Sequence, residues 1–339
     1  MKKTAFLLLF LATQIPTFAQ SLNLGIPPFG SLGGGGFDTI NNANLNVYFP
    51  IPIVQSAGRG IHLNLTLSNN SLIWRKSNST WTPASDANGN PTWGWSKDFV
   101  GGQSRYNALT SAEKCYAQGN PWFWTTRTTY NNFYYVDVLG TTHNFHAINF
   151  IDDTNCTGNV TGTTAASADD LSGYYMNAIP LTGGNSPILI DPRGIKSPDG
   201  TSTDTNGNYV TRTGVTCSGC VENDWTDSVG SKALKVIYTP NTTSPTSIQY
   251  QFLDASGGYQ TITLKLQAYN VKTNFACSAV TEYTGSANLP FELDIPSPIS
   301  GTMKYLFAYE PTPQNSGYVT GRVQKVTFVL LPAKTGHLI

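Results

Sequence analysis

The chain has 339 residues, with 20 Lys and Arg against 20 Asp and Glu, and charged residues make up 12% of it. That is about half the ~25% usual in globular proteins, and the scattered Lys and Arg form no basic stripe of the kind that binds nucleic acid through its phosphates. Aromatic residues at 12%, with abundant Thr, Asn and Gly, favour β structure joined by polar turns.

The chain opens with Lys2 and Lys3, an apolar run from Ala5 to Ala12, and then Thr17-Phe18-Ala19. Basic, apolar and small segments in that order make a secretory signal peptide over residues 1–19, with cleavage expected after Ala19. The run is much shorter than the ~20 residues a membrane span needs, and no later segment is long and apolar enough to span. Gln20 rather than Cys stands directly after the cleavage point, which argues against a lipid anchor. The expected location is secreted, periplasmic or cell envelope. Residues 20–44 follow as a glycine-rich, extended lead-in.

Residues 45–151 are expected to form a first, Trp-rich β unit. Leu45, Val47, Phe49, Ile51 and Ile53 alternate, as do Ile61, Leu63, Leu65 and Leu67, and Ala57-Gly58-Arg59-Gly60 supplies a turn between them. Period-2 alternation is the pattern of half-buried strands, and both faces are predicted to be buried. Beyond 69 the pattern loosens, with turn residues gathered at Asp86 to Pro91. Alternation returns from Trp122 to Tyr130, Asn131-Asn132 reads as a turn, and Phe133 to Val138 reads as the next strand.

Six of the seven Trp lie between Trp74 and Trp124. Trp93 and Trp95 are two apart, as are Trp122 and Trp124, so each pair would share a strand face. The first reading is core packing, since aromatic side chains dominate buried area. The second is a platform of indoles for sugar rings built from Trp93, Trp95, Trp122 and Trp124.

Residues 152–186, rich in Thr, Ala, Ser, Asp and Gly, read as a loop or boundary. A second β unit is expected over 187–339, with strands at 187–190, 234–238, 248–252, 262–266, 305–309 and 323–329. No amphipathic helix is evident after the signal peptide. The fold class expected is all-β, with many short antiparallel strands in sandwich-like units or an extended wound sheet.

The five Cys are Cys115, Cys156, Cys217, Cys220 and Cys277, so an exported chain leaves at least one unpaired. Cys217-Ser-Gly-Cys220 is read first as a loop disulfide, ahead of half a metal site, a redox motif or free thiols. Zinc would need a second ligand pair, and none stands nearby.

Several segments, in order, resemble the exported region that precedes the repeats of bacterial Rhs/YD-repeat proteins. They are GGFDTINNANLNVYFPIPIVQSAGRGIHLNLTLSNNS near the start, YVDVLGTTHNF at 135–145, DPRG, DTNGNYV, YNVKTNFACSAVTEY at 269–283 and YLFAYEPTPQNSGYVTGRVQKVTF at 305–328. Together they cover most of the mature chain. The resemblance implies a β-sheet that spirals into a hollow shell, built from Tyr-x-Tyr strands followed by Gly-Arg-hydrophobic. Tyr305, Tyr309, Gly321, Arg322 and Val323 resemble one such unit stretched by an inserted loop, with Glu310 where the usual repeat has Asp. A single degenerate unit implies the leading or truncated part of a shell, and repeat architectures bury a continuous core only with about three or more units.

A search for catalytic groups finds no nucleophile–base set. His143-x-x-His146 is half a metal site at most, and packing at a hairpin edge is the plainer reading. Asp152-Asp153 and Asp169-Asp170 read as carboxylates on solvated turns. Asp86-x-Asn88-x-Asn90 and Asp204-x-Asn206-x-Asn208 have calcium-like spacing, but Asn-Gly turns produce the same letters. The function expected is therefore a non-enzymatic, exported structural or interaction protein of Rhs type. No cofactor, no metal and no nucleic acid are expected; the partner is the rest of a shell or an envelope component. The alternative is a secreted carbohydrate-binding protein using the Trp cluster, and a glycoside hydrolase ranks third.

Overall fold

Alternating side chains along nearly every segment make this an all-β protein. The computed structural model describes residues 32–42, 45–56, 63–85, 90–96, 103–116, 122–137, 141–197, 201–254, 257–296 and 302–331. Among these the one helical element is a 3-10 turn, Ile179–Gly183. The strands form four sheets. A front sheet runs Leu32–Gly33, Thr39–Asn41, Asn46–Ser56, Leu63–Asn70, Trp95–Ser96 in that spatial order. A small ribbon pairs Trp74–Ser77 with Thr80–Pro83. A third sheet is built on a long hairpin, Gln103–Cys115 with Phe123–Val136, joined by Thr142–Phe145, Asn149–Asp153 and Asn159–Thr163. The fourth has thirteen strands, from Ala165–Ser167 to Val319–Leu331, each antiparallel to its neighbour in sequence.

One turn chemistry drives that meander. Asp191, Asp204, Asp227 and Asp254 each accept, at the main-chain oxygen, the N–H of a Gly three residues on, at 2.8, 3.2, 3.0 and 3.1 Å. Each Asp also turns its Oδ1 back onto loop N–H groups, as Asp227 does to Val229 and Ser231 at 3.1 and 2.8 Å. The glycines, Gly194, Gly207, Gly230 and Gly257, all have φ between 82° and 84°, a left-handed conformation that disfavours a Cβ. Asp-x-x-Gly is thus a recurring hairpin loop, and it settles the 204–208 segment as a turn. Asp204 accepts from Asn206 N, Asn208 N and Asn208 Nδ2 at 2.9, 2.9 and 2.8 Å, contacts that hold its carboxyl below the usual range. The 86–90 fragment falls mainly outside the described residues.

The front sheet packs on the meander to form the main core. Ile51, Ile53, Val54, Leu65, Leu67, Trp93 and Trp95 meet Leu234, Val236, Tyr238, Ile248, Tyr250, Leu264, Leu289, Leu293 and Phe307. Two sheets closing their apolar faces on each other is the basic sandwich solution. The other face of the meander is polar: Lys265 and Lys304 both grip Glu292, at 2.6 and 2.8 Å, and lower its pKa to about 2. A second core holds Phe133, Tyr135, Phe145, Ile148, Phe150, Met176, Ala178, Leu181 and Leu189.

These cores redraw the expected boundaries. Residues 45–151 do not bury one common core, because the front sheet packs on the far end of the chain while the long hairpin packs on 148–189. The segment 152–186 is not a loop. It carries Asn159–Thr163, Ala165–Ser167 and Tyr175–Asn177, short strands whose small polar residues hide the alternation.

The first hairpin also departs from its predicted pattern. Leu45 lies in a left-handed turn, exposed, and Val47 points outward, while Asn46 takes the inner position. Asn46 is held there by Asn70 Oδ1 at 2.6 Å and by Leu72 N, which donates to its Oδ1 at 3.3 Å. Farther on, a bulge between Pro52 and Val54 turns both Ile53 and Val54 inward. Ile51, Leu65 and Leu67 are buried as predicted. The turn at 57–60, Ile61 and the side chain of Leu63 lie outside the described residues. Asn131-Asn132 does not reverse the chain either. Phe123–Val136 is one strand, and Asn132, at φ 53°, sits opposite a register shift between Arg105 and Asn107. Asn tolerates the left-handed region, so turn and bulge draw on the same residue.

Candidate functional site

The repeat-like residues lie where the end of the meander meets the front sheet. On Thr302–Pro311, Phe307 and Tyr309 point into the core, and Tyr305 is half-buried beside Phe328 at 5.2 Å. Tyr309 donates its O–H to Pro290 O at 2.6 Å and accepts the indole N–H of Trp95 at 3.2 Å; burial pushes its pKa well up. Gly321 has φ 83°, and a Cβ there would stand 3.2 Å from Ile73 Cδ1 and 3.3 Å from Trp93 Cε3. Val323 packs against the main core, and Arg322 is exposed. Trp74 closes the seam by donating Nε1–H to Thr320 O at 2.9 Å while its ring meets Trp93 and Tyr283 at 5.7 and 5.2 Å.

The two tryptophan pairs have separated. Trp93 and Trp95 are 7% and 3% exposed and belong to this seam, with Trp95 edge-on to Phe307 at 4.9 Å. They are not on one strand face, since Trp93 occupies a left-handed turn at φ 55° with Gly94 following. Trp122 and Trp124 are 61% and 72% exposed.

The exposed pair sits at one end of the long hairpin. Lys114 pairs with Trp124 and Cys115 with Phe123, so Lys114, Tyr116, Trp122 and Trp124 share one face, and Cys115 takes the other. On the open face the Tyr116 and Trp122 rings are 5.5 Å apart, and Lys114 Nζ lies 5.7 Å from the Trp122 ring centre. Thr110 and Thr128 join hydroxyls at 3.1 Å farther along it. On the inner face Cys115 is bonded to Cys156, which ties this end of the hairpin to the turn after Asn149–Asp153. The sequence pointed to Trp122 and Trp124 as a shared face, but not to Lys114 and Tyr116 beside them or to Cys115–Cys156 behind; the polar strand Gln103–Cys115 carries no apolar alternation to announce it.

The Cys217–Cys220 disulfide closes the tight turn between Tyr209–Cys217 and Cys220–Asp227, and Cys277 is free and exposed. Glu113, Cys115 and Cys156 are the one metal-like cluster among the described residues, and two of its three ligand atoms are disulfide sulfurs. Glu113 also faces Asp153, whose carboxyl raises its pKa.

His143 and His146 do not converge. His143 is buried, with Nδ1 2.6 Å from Asp170 Oδ2 and Nε2 3.5 Å from Asp137 Oδ2. Burial alone would lower its pKa, but the two carboxylates outweigh it and raise the value. His146 is exposed and pairs with Asp169 at 2.6 Å. Around His143 stand Tyr135 and Tyr174, both made weaker acids by burial, Tyr174 to about 12. Two further carboxylates hold backbone N–H groups. Asp152 accepts from Thr154 N and Oγ1 at 3.1 and 2.6 Å, and Glu282 from Phe275 N and Ala276 N at 2.9 and 3.0 Å.

No family model, no curated protein and no solved structure matches the chain. Among the described residues no helix is long and apolar enough to cross a membrane.

Proposed function

We propose that this chain is an exported, non-enzymatic structural or interaction protein of the Rhs/YD-repeat kind, working at the cell envelope with the remainder of a shell or an envelope component as its partner. The observation that supports this most is the unbroken run of thirteen strands, each antiparallel to the one before it. A single meander of that length is a wall-building arrangement, and its last two strands carry Tyr309 and Gly321 at the seam with the front sheet. The candidate acid and base side chains contact the fold itself: Asp152, Asp204 and Glu282 bind backbone, and His143 is a buried charge contact. The test is a hydrolysis screen of the purified mature protein on polysaccharides, peptides and nucleic acids, where no turnover is expected. Turnover abolished by Asp152→Asn or Glu282→Gln would overturn the reading.

The exposure of Trp122 and Trp124 favours a second reading, in which the same protein contacts glycans through the open face of the long hairpin. Large exposed aromatic clusters on a folded protein mark contact surfaces more often than chance. Retention on insoluble polysaccharide, lost in a folded Trp124→Ala variant, is the result this reading expects.

A further inference from the structure

From the charge and the anchoring of that hairpin face we infer that it takes a polysaccharide bearing carboxylates, and that the Cys115–Cys156 disulfide holds it in its binding shape; this rests on the glycan reading above. The rings come first. Tyr116, Trp122 and Trp124 are all more than half exposed; Trp124 lies in the strand Phe123–Val136, and Trp122, two residues earlier, immediately precedes it. Residues two apart on a strand lie about 6.6–6.8 Å apart, so successive rings of an extended sugar chain can rest on both. The flat faces supply apolar contact to the C–H side of a pyranose, at low entropic cost because each ring has only two rotatable bonds.

Charge then selects among sugars. Lys114 is the one charged side chain on this face of the two hairpin strands among the described residues, and it is exposed beside Trp122; Asp152, on the neighbouring strand, shares that side but stands opposite Thr128, four residues along from Trp124. The acidic groups nearby, Glu113 and Asp153, pair with each other on the inner side of the hairpin. A carboxylate on a sugar ring resting on Trp122 therefore meets the Lys114 cation, with Asp152 farther along the face and turned onto Thr154, which favours an acidic chain over a neutral one. The sequence joining the two strands, Ala117-Gln-Gly-Asn-Pro121, is polar, which argues against an apolar wedge entering lipid.

Rigidity is the third element. Cys115 lies between Lys114 and Tyr116 and opposite Phe123, so its bond to Cys156 fixes the backbone from which all four contact residues project. Two strands alone make a marginal structure in water, and pre-organising a binding face lowers the cost of ordering it.

The experiment measures binding of the oxidised mature chain to polygalacturonate and to the same polymer fully methyl-esterified, which removes only the charge. The expected result is binding to polygalacturonate, at least about tenfold weaker to the ester, and weakened about tenfold or more in Trp122→Ala and Trp124→Ala, as for an aromatic anchor. Both residues are exposed, so the variants should keep the parent melting temperature. Lys114→Gln should weaken binding to polygalacturonate more than binding to the ester, so that the preference between the polymers disappears, and reduction of the disulfide in the folded protein should weaken both. Equal binding to the two polymers, still lost in Trp124→Ala, would overturn the acidic class and leave the glycan reading standing. Binding to neither polymer nor to xylan or cellulose would overturn both, as would binding confined to phosphatidylglycerol vesicles. Undiminished binding after reduction would sink the role given to Cys115–Cys156.

Discussion

Trp93-Gly-Trp95 and Trp122-Phe-Trp124 are nearly the same three letters, yet one pair is the seam of the main core and the other lies open to water. The difference comes from what stands opposite. Trp93 and Trp95 have the end of the meander over them, with Tyr309, Phe307 and the bare backbone of Gly321 shaped to receive them. The strand carrying Trp122 and Trp124 turns its other side inward, and that side is closed by Phe123, Cys115 and the Cys156 bond. Spacing assigns side chains to faces. Only a partner sheet decides whether a face becomes core.

The sharpest way to break the comparison is to truncate one member of each pair. Trp95→Ala should cost about 3–5 kcal/mol, as aromatic-to-Ala changes in cores do, because it empties the space before Phe307 and strips Tyr309 of a donor. Trp124→Ala should change stability by no more than about 0.5 kcal/mol. Denaturant unfolding of the two variants reads both numbers, and equal losses would mean that the hairpin face is covered in solution.

The two disulfides extend the contrast to cross-links. Cys115 and Cys156 are 41 residues apart, Cys217 and Cys220 only 3. On loop-closure entropy the first should stabilise by about 4 kcal/mol and the second by about 2. Paired Cys→Ser variants, compared by thermal unfolding, should rank in that order, and the reverse ranking would show that chain entropy is not what these bonds supply.

A smaller effect is expected from Gly321→Ala. The left-handed backbone and the nearness of Ile73 and Trp93 should together cost about 1–3 kcal/mol. Gly230→Ala has the same φ but nothing within 4 Å, so the difference between the variants isolates the crowding at the seam.

The mildest prediction concerns pH and the second core. The folded pKa of His143 is raised by Asp137 and Asp170, so protonation favours the folded state. That stabilisation is fully present below the ordinary histidine value of about 6.5 and is lost as pH rises through the raised folded value. The melting temperature should fall across that interval in the parent and stay level in His143→Gln. An imidazole titrating below 6.5 by NMR would contradict the assignment.

Much of the architecture was legible locally. The strands at 232–239, 247–253 and 259–272 announce themselves because Leu234, Val236, Ile248, Ile262 and Leu264 alternate with polar residues, and successive side chains on a strand leave opposite faces. The Cys217–Cys220 bond was readable for a similar reason, since three residues of separation leave little for distant contacts to decide. Asp-x-x-Gly turns were present in the letters but visible only in part, as fragments of a resemblance and as calcium-like spacing.

What tertiary structure alone decided is what required partners far away in the chain. Gln103–Cys115 is a strand because Phe123–Val136 supplies its hydrogen bonds, and its own polar sequence gives no periodic signal. Asn46 displaces Leu45 from the interior because Asn70 and Leu72 satisfy its amide there. Trp95 is buried because a strand more than 200 positions later brings Tyr309 over it, their hydrogen bond spanning 214 residues. Local sequence sets which side chains share a face, through backbone geometry that acts over two residues. Which of those faces is hidden from water depends on contacts between distant segments, and pattern along the chain carries no record of them.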